Sequence, residues 1–513
     1  MKRPSVIRLT SAMALLMLAS PALANDNEVY IGQTGVTNRV AIDQLGEANM
    51  VGANDSSLFV LQDGSNNDVA VTQTGYANQA GATGSAGAVG LQGLYQTGDS
   101  NSLTITQQST ASTGLNVIGA VSQVAPTSLA SGPSNSLTIT QTDASILGAV
   151  GSGNGDSAHT VGEILQIQTG TSANIATISQ YDGSNGGDTG NRVQILVQDG
   201  TDNLATITQQ EAANQVGDLR QFGSGNGATV TQEDGTDNRL DTFRQDGTGN
   251  RAIVTMTGSR NLVFSLLQNN ALMGVVGNLA TITLGGDDNG GDGMGGLGQF
   301  TNNVTRLLQV AQAELRQLGD ENMLNFVTSG ASVANLYGFV QDGDGNVISG
   351  TVDGEENEVA LLQIGDGNRY DFSQTGNLNA TAVSSRGDNN SLFIEQDGND
   401  NIIDVSFDGG VAPITRSNQN NDPALGGFSE LALSHAGSLE PGDIRQSGDQ
   451  NSIRIATENS NFNKFATSQN GNQNVIEGEI IGDNNQAVVI QSGDLNYTLL
   501  RQTGNYNQAV ILQ

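Results

Sequence analysis

The chain has 513 residues, with 52 Asp and Glu against 19 Lys and Arg, giving a net charge of −33. That balance argues against nucleic acid and anionic membranes as partners, since both are polyanions. There is no Cys, which excludes disulfides and thiolate metal sites. Abundant Gly and polar residues resemble the composition of a disordered chain, but the aliphatic residues recur at a fixed phase that disorder does not require.

In chain order, residues 1–24 read as a secretory signal peptide. Lys2, Arg3 and Arg8 form a basic start, residues 12–19 a short apolar core, and Ala22-Leu23-Ala24 a small-x-small cleavage site. The apolar run is far below the roughly 20 residues of a membrane span. Its removal takes the net charge to about −36 and leaves Lys464 as the only lysine. The mature chain is therefore expected outside the cell.

From residue 25 a unit of 11 residues repeats, written Q-x-G-x-x-N-x-[A/V/I]-x-[I/V/L]-x. The segment Asn27-x-Val29-x-Ile31-x-Gln33 already fits it, as does Asn507-x-Ala509-x-Ile511-x-Gln513 at the far end, with no capping segment evident outside either. In Asn101-x-Leu103-x-Ile105-x-Gln107 the key residues are spaced by two, the period of a strand. These four are expected to face inward, with Ser102, Thr104 and Thr106 outward. The Q-x-G-x-x-N stretch carries turn formers. One unit is thus a short strand and a tight turn, and two make a rung of about 22 residues. Stacking such rungs predicts an all-β β-solenoid with two facing parallel sheets, interrupted by loop insertions.

The solenoid is expected over 25–283, interrupted by Gly/Ala-rich residues 80–95, by 108–134 and 142–163, which break the grid, and by an expanded turn at 183–190. Residues 284–300 read as a Gly/Asp-rich loop. Residues 301–409 carry the regular repeats: Gln341, Gln363, Gln374 and Gln396 share one 11-residue grid, with Val352, Ser385 and Phe407 on its other points. Within this stretch 301–318 has helix-favouring composition, yet Asn303-x-Thr305-x-Leu307-x-Gln309 fits the strand unit, and a strand with an irregular join is expected. Residues 410–443, holding Pro413, Pro423 and Pro441, read as a loop. Residues 444–513 resume the repeat, with Gln469, Ile480, Gln491, Gln502 and Gln513 on a second grid.

The candidate structural ladder comprises Gln341, Asn346, Gln363, Asn368, Gln374, Asn379, Gln396, Asn401, Gln491, Asn496, Gln502 and Asn507. Its turn glycines are Gly343, Gly365, Gly376, Gly398, Gly493 and Gly504. Inward Asn and Gln amides are expected to bond to turn backbone and to their own copies in adjacent rungs, as in cross-β stacks.

These units resemble the curlin repeat of bacterial curli. Asn101–Gln107 and Asn135–Gln141 are similar to its strand. Gln198-Asp199-Gly200-Thr201-Asp202-Asn203 and Gln221-Phe222-Gly223-Ser224-Gly225-Asn226 are similar to its turn. About 25 such units cover most of the mature chain, which is longer than the usual curlin subunit. The resemblance implies a secreted subunit that self-associates into extracellular amyloid fibres serving biofilm matrix, adhesion and cell aggregation. It also implies a dedicated outer-membrane secretion and nucleation system. The alternative from the residues is a monomeric β-solenoid adhesin or a polysaccharide- or ice-binding surface protein. Such a protein should show a regular outward array, and the outward positions vary: Thr104 and Thr106 in one copy, Arg369 and Asp371 in another.

No enzyme, cofactor or metal is expected. His159 and His435 are the only histidines, neither in a nucleophile motif, and His435-Ala436-Gly437 reads as a variant Gln-x-Gly. Asp342-Gly343-Asp344-Gly345-Asn346 opens like an EF-hand loop, but Val347 stands where that loop needs Gly. The acidic stretch 284–293 lacks the iterated nonapeptide of calcium β-rolls.

Overall fold

The computed structural model describes residues 8–9, 27–52, 60–81, 93–109, 116–126, 134–143, 159–182, 190–211, 213–270, 276–291, 299–308, 310–407, 419–458 and 460–513. The expected signal peptide lies outside these except for Arg8–Leu9, a two-residue strand beside Ile31–Thr34. Most of the expected turn at 183–190 also lies outside them. The chain divides into two compact units, Met1–Ser259 and Arg260–Gln513. Each is a β-solenoid of two parallel sheets whose strands alternate along the chain.

In the first unit, one sheet runs through Val117–Val124, Thr160–Gln168, Arg192–Thr201, Gln215–Ser224 and Arg239–Thr248. The other runs through Asp68–Tyr76, Ser102–Gln108, Ser136–Asp143, Ile175–Asp182, Leu204–Gln209, Gly227–Glu233 and Arg251–Thr257. All pairs are parallel and in register, so identical repeat positions stack: Leu103 on Leu137, Ile105 on Ile139, Gln107 on Gln141. The period-two aliphatics form the core: Leu103, Ile105, Leu137, Ile139, Ala176 and Ile178 are buried, and the alternate residues between them are not.

Residues 108–134 and 142–163 therefore do more than break the grid. Each contains part or all of a strand, and Gln123 and Gln166 are buried repeat glutamines. The grid slips mainly because residues are inserted between rungs, the stacked Gln123 and Gln166 lying 43 positions apart, and the first sheet also carries a stacked β-bulge. Pairing runs Ile118↔Val161 then Ala120↔Glu163, skipping Gly119 and Gly162; it likewise skips Gln194, Gly217 and Asp241 in later strands. One extra residue per strand sits out of the ladder at the same level in every rung. A Cβ on Gly119 would lie 2.2 Å from the Gly162 carbonyl oxygen, so the column is closely stacked. The extra residue separates Gln198 from Gln221 by 23 positions, against 22 in the regular part of the second unit; Gln221 and Gln245 are 24 apart because the turn from Gln232 to Asn238 is also one residue longer.

The second unit is more regular between Leu336 and Phe407, where the seven- or six-residue strands stack without bulges. Two helical segments correct the sequence reading. Asn303–Leu307 is a short helix, α1, not a strand. Its first turn is anchored by Glu358, whose carboxylate accepts from the N–H groups of Thr301 and Asn302 and from the hydroxyls of Thr301 and Thr305. The segment around it seats Phe300 and Leu308 against Leu336 and Ala360. Residues 419–442 are not a plain loop either. They include a 3₁₀ turn, Pro423–Leu425, and a helix, α2, Glu430–His435. Phe428, Ala432, Ala436 and Leu439 pack on Ala466 and Val488. Lys464 Nζ donates to the carbonyls of Leu425 and Gly427, both at 2.7 Å. Burial lowers the pKa of this ammonium. Both straps cover apolar residues on outward strand positions, which is why the repeat motif gives no sign of them.

Candidate functional site: a one-way ladder of buried amides

The repeat turn begins at Gln, passes through a Gly with positive φ, and reaches a second left-handed residue just before Asn. Gly343, with φ 130°, Gly365 (121°), Gly376 (104°) and Gly398 (127°) hold the first position. A Cβ there would collide with the turn stacked on it: Gly343 lies 2.2 Å from the Gly365 oxygen by this measure, and Gly376 2.1 Å from that of Gly398. Gly493 and Gly504 share the conformation, at 95° and 102°. Only glycine satisfies both the dihedral and the contact.

This turn brings each Asn directly over the Asn of the neighbouring rung. Asn346 N–H and Nδ2 both donate to Asn322 Oδ1 at 3.0 Å, and Asn368 repeats this on Asn346. Asn368 Nδ2 also donates to the Gly387 carbonyl at 2.9 Å. On the opposite edge Asn379 N–H donates to Asn357 Oδ1 and Asn401 N–H to Asn379 Oδ1. Asn496 and Asn507 continue the same two files onto Asn474 and Asn485.

The glutamines stack beside them. Gln341 Nε2 donates to Gln363 Oε1 at 3.1 Å, Gln374 to Gln396 at 2.7 Å, and Gln491 to Gln513 at 2.8 Å. Gln502 Nε2 donates instead to the Gln486 carbonyl at 2.9 Å. The first unit does the same from Gln33 to Gln62 and from Gln107 to Gln141. All but the terminal Gln513 are buried or nearly so.

The direction is uniform. Within the inward glutamine files each Gln-to-Gln bond donates toward the C-terminal neighbour, and within the asparagine files each Asn-to-Asn bond donates toward the N-terminal one. Each rung thus presents Gln donors with Asn acceptors on one face and the reverse on the other. Chemically, the two faces of a rung are complementary in donors and acceptors.

Breaks in the ladder are visible as orphaned atoms. Val352 and Ile480 replace Gln, and the next glutamines, Gln374 and Gln502, have buried Oε1 atoms with no hydrogen-bond partner. His159 occupies an Asn position. Its carbonyl accepts from Val117 N–H, its Nδ1 accepts from Asn191 N–H at 3.2 Å, and its Nε2 lies 3.3 Å from the Thr142 carbonyl. The imidazole gives nothing to Asn116, whose Oδ1 is buried and unpartnered. The signal for His159 is present in the sequence: it precedes Val161 by two, as Asn precedes the first aliphatic elsewhere.

Two other readings change. The Gly/Asp-rich stretch begins as a repeat turn, with Leu284, Gly286 and Asn289 in the Gln, Gly and Asn positions. Asn289 N–H donates to Asn261 Oδ1 at 3.1 Å, and Asn335 N–H to Asn289 Oδ1 at 3.2 Å. His435 is exposed on α2 and takes no part in the ladder; its Nδ1 lies 2.7 Å from Ser434 Oγ. The Asp342–Asn346 turn spends its acid on structure, Asp344 Oδ1 accepting from Asp320 N–H at 2.9 Å. Burial, with Asp344 and Glu321 close by, raises the Asp320 carboxyl above the usual range. Among the described residues no group of three or more His, Cys, Asp or Glu is arranged to hold a metal ion.

The fold and its amide files define the class, a β-solenoid with directional Asn and Gln ladders. No protein-family model matches the chain, and no curated protein matches it.

Proposed function

We propose that this is a secreted structural protein that self-associates into curli-like amyloid fibres, contributing to biofilm matrix, adhesion and cell aggregation at the cell surface. A dedicated outer-membrane secretion and nucleation system would serve its export. The supporting observation is the one-way amide ladder, because the face that one rung offers is complementary to the opposite face of any other. Parallel in-register strands add a row of backbone donors and acceptors to the same faces. The resemblance to curlin repeats points the same way.

The test uses the full chain. Gln513 bonds through both N–H and C=O to the strand Gln486–Ser492, so the backbone groups of Val510 and Leu512 face the other way. Pro at both positions removes two outward donors. Wild type is expected to form thioflavin-positive fibres visible by electron microscopy, and the double-Pro variant to assemble far more slowly. Wild type that stays monomeric at high concentration, or a variant that assembles equally fast, would overturn the reading in favour of a monomeric adhesin.

A further inference from the structure

One outward face of the first unit differs from all others described. On the sheet running through Ser102–Gln108 to Gly227–Glu233, Thr104, Thr138, Thr177, Thr206 and Thr229 stack in register. Two residues further along each strand, Thr106, Thr140, Ser179, Thr208 and Thr231 form a second file. That file extends to Thr72 on one side and Thr255 on the other. All are exposed or half-buried, none buried. Neither file carries a charge or an aromatic ring, although the chain's net charge is −33. On the corresponding sheet of the second unit, Arg369, Asp371, Phe393 and Glu395 interrupt any such pattern. Among the described residues none of these hydroxyls has a hydrogen-bond partner, which leaves them open to a ligand from outside.

We infer that this face binds the ordered surface of ice. The two files make a two-dimensional lattice, with a hydroxyl about every 4.8 Å across strands and about every 6.6 Å along them. Fixed repeats in two directions can hold an ordered array of water molecules in a way that scattered hydroxyls cannot. Threonine is stiff at χ1 on a strand, so the hydroxyls and their adjacent methyls are held in one orientation, and little side-chain entropy is lost on binding. Lack of charge removes the strongly hydrated groups that would hold liquid water against the lattice. A crystalline polysaccharide is the other lattice of hydroxyls to consider. Sugar rings are commonly gripped by aromatic platforms, and the files contain none. The inference does not depend on fibre assembly, because the face lies along the sheet and not at a rung edge.

The experiment measures partition of the full chain into slowly growing ice and inhibition of ice recrystallisation. Three proteins are compared: wild type, Thr177→Tyr/Thr208→Tyr, which breaks the lattice at its centre, and Ser373→Tyr, an outward change in the second unit. Wild type and Ser373→Tyr are expected to enter the ice and slow recrystallisation, and the double variant to lose both. Circular dichroism and thermal melting establish that the double variant is folded. Should it unfold, Thr177→Lys replaces it. Wild type that is excluded from ice, or a folded double variant as active as wild type, overturns the inference. Retention on crystalline cellulose without ice activity would assign the face to polysaccharide instead.

Discussion

At the scale of single residues, the Asn file is the most demanding part of the molecule. Each amide is both donor and acceptor, so a replacement orphans a neighbour. His159 does this to Asn116 Oδ1. His159→Asn restores the missing donor while keeping Asn191 supplied with an acceptor. Because a buried unpaired acceptor costs about 1–3 kcal/mol, the variant should raise the stability of the first unit by on the order of 1 kcal/mol. Denaturant titration checks it, and a destabilised variant would mean the imidazole packs better than an amide. The buried tyrosines give a second case. Tyr337 OH donates to the Leu262 carbonyl at 2.6 Å, whereas Tyr370 OH makes no hydrogen bond of good geometry and has only the Ser385 hydroxyl beside it. Tyr370→Phe should leave stability unchanged or improve it, while Tyr337→Phe should lose about 0.5–1.5 kcal/mol. Burial pushes both phenols far above their ordinary value. A folded pKa above the unfolded one means stability that is full below about pH 10 and lost as pH rises beyond it. Tyrosinate absorbance followed with circular dichroism should show two tyrosines ionising only as the second unit unfolds. The Tyr337→Phe/Tyr370→Phe pair should move that alkaline transition upward. Free titration of all tyrosines in the folded protein would contradict the buried placement.

At the scale of elements, strands and straps are held by different forces. The strands stack through apolar burial and amide ladders that repeat in every rung. The α1 strap depends on one carboxylate, Glu358, which is buried and gathers hydrogen bonds from Thr301, Asn302 and Thr305. Glu358→Ala should release α1 while leaving the rungs stacked. Amide exchange at Arg306, whose N–H bonds to the Asn302 carbonyl in the folded strap, should accelerate strongly, with exchange in Leu336–Asp342 changed little. Unchanged protection at Arg306 would show that Phe300 and Leu308 suffice to seat the strap. The α2 strap rests instead on Phe428, Ala432, Ala436 and Leu439. Phe428→Ala should cost about 3 kcal/mol locally, read as loss of protection in α2.

At the scale of the whole molecule, charge opposes the proposed association. A chain with a net charge of −33 repels its copies. Salt screens such repulsion beyond about 8 Å at physiological strength. Assembly should therefore show a lag that shortens as sodium chloride rises, measured by thioflavin fluorescence. A lag independent of salt would mean that the acids lie too far from the contact, or are too well neutralised in the turns, to matter.

The sequence by itself determined the strand unit, the inward residues and the amide positions, because all three follow from a period of two and a turn that only Gly can make. The positions of Gln341, Asn346 and their counterparts follow from the repeat alone, since each copy adopts the same local conformation. What only the tertiary structure decided was whatever depends on neighbours across rungs. The stacked bulge at Gly119, Gly162, Gln194, Gly217 and Asp241 shows in the sequence only as irregular spacing, which reads as broken repeats. The helical state of Asn303–Leu307 is fixed by Glu358, some fifty residues away, which overrides a local strand pattern. The threonine files exist only because in-register stacking aligns outward residues that no inward packing constrains. A single repeat copy shows two outward threonines, and only the stack makes them a lattice.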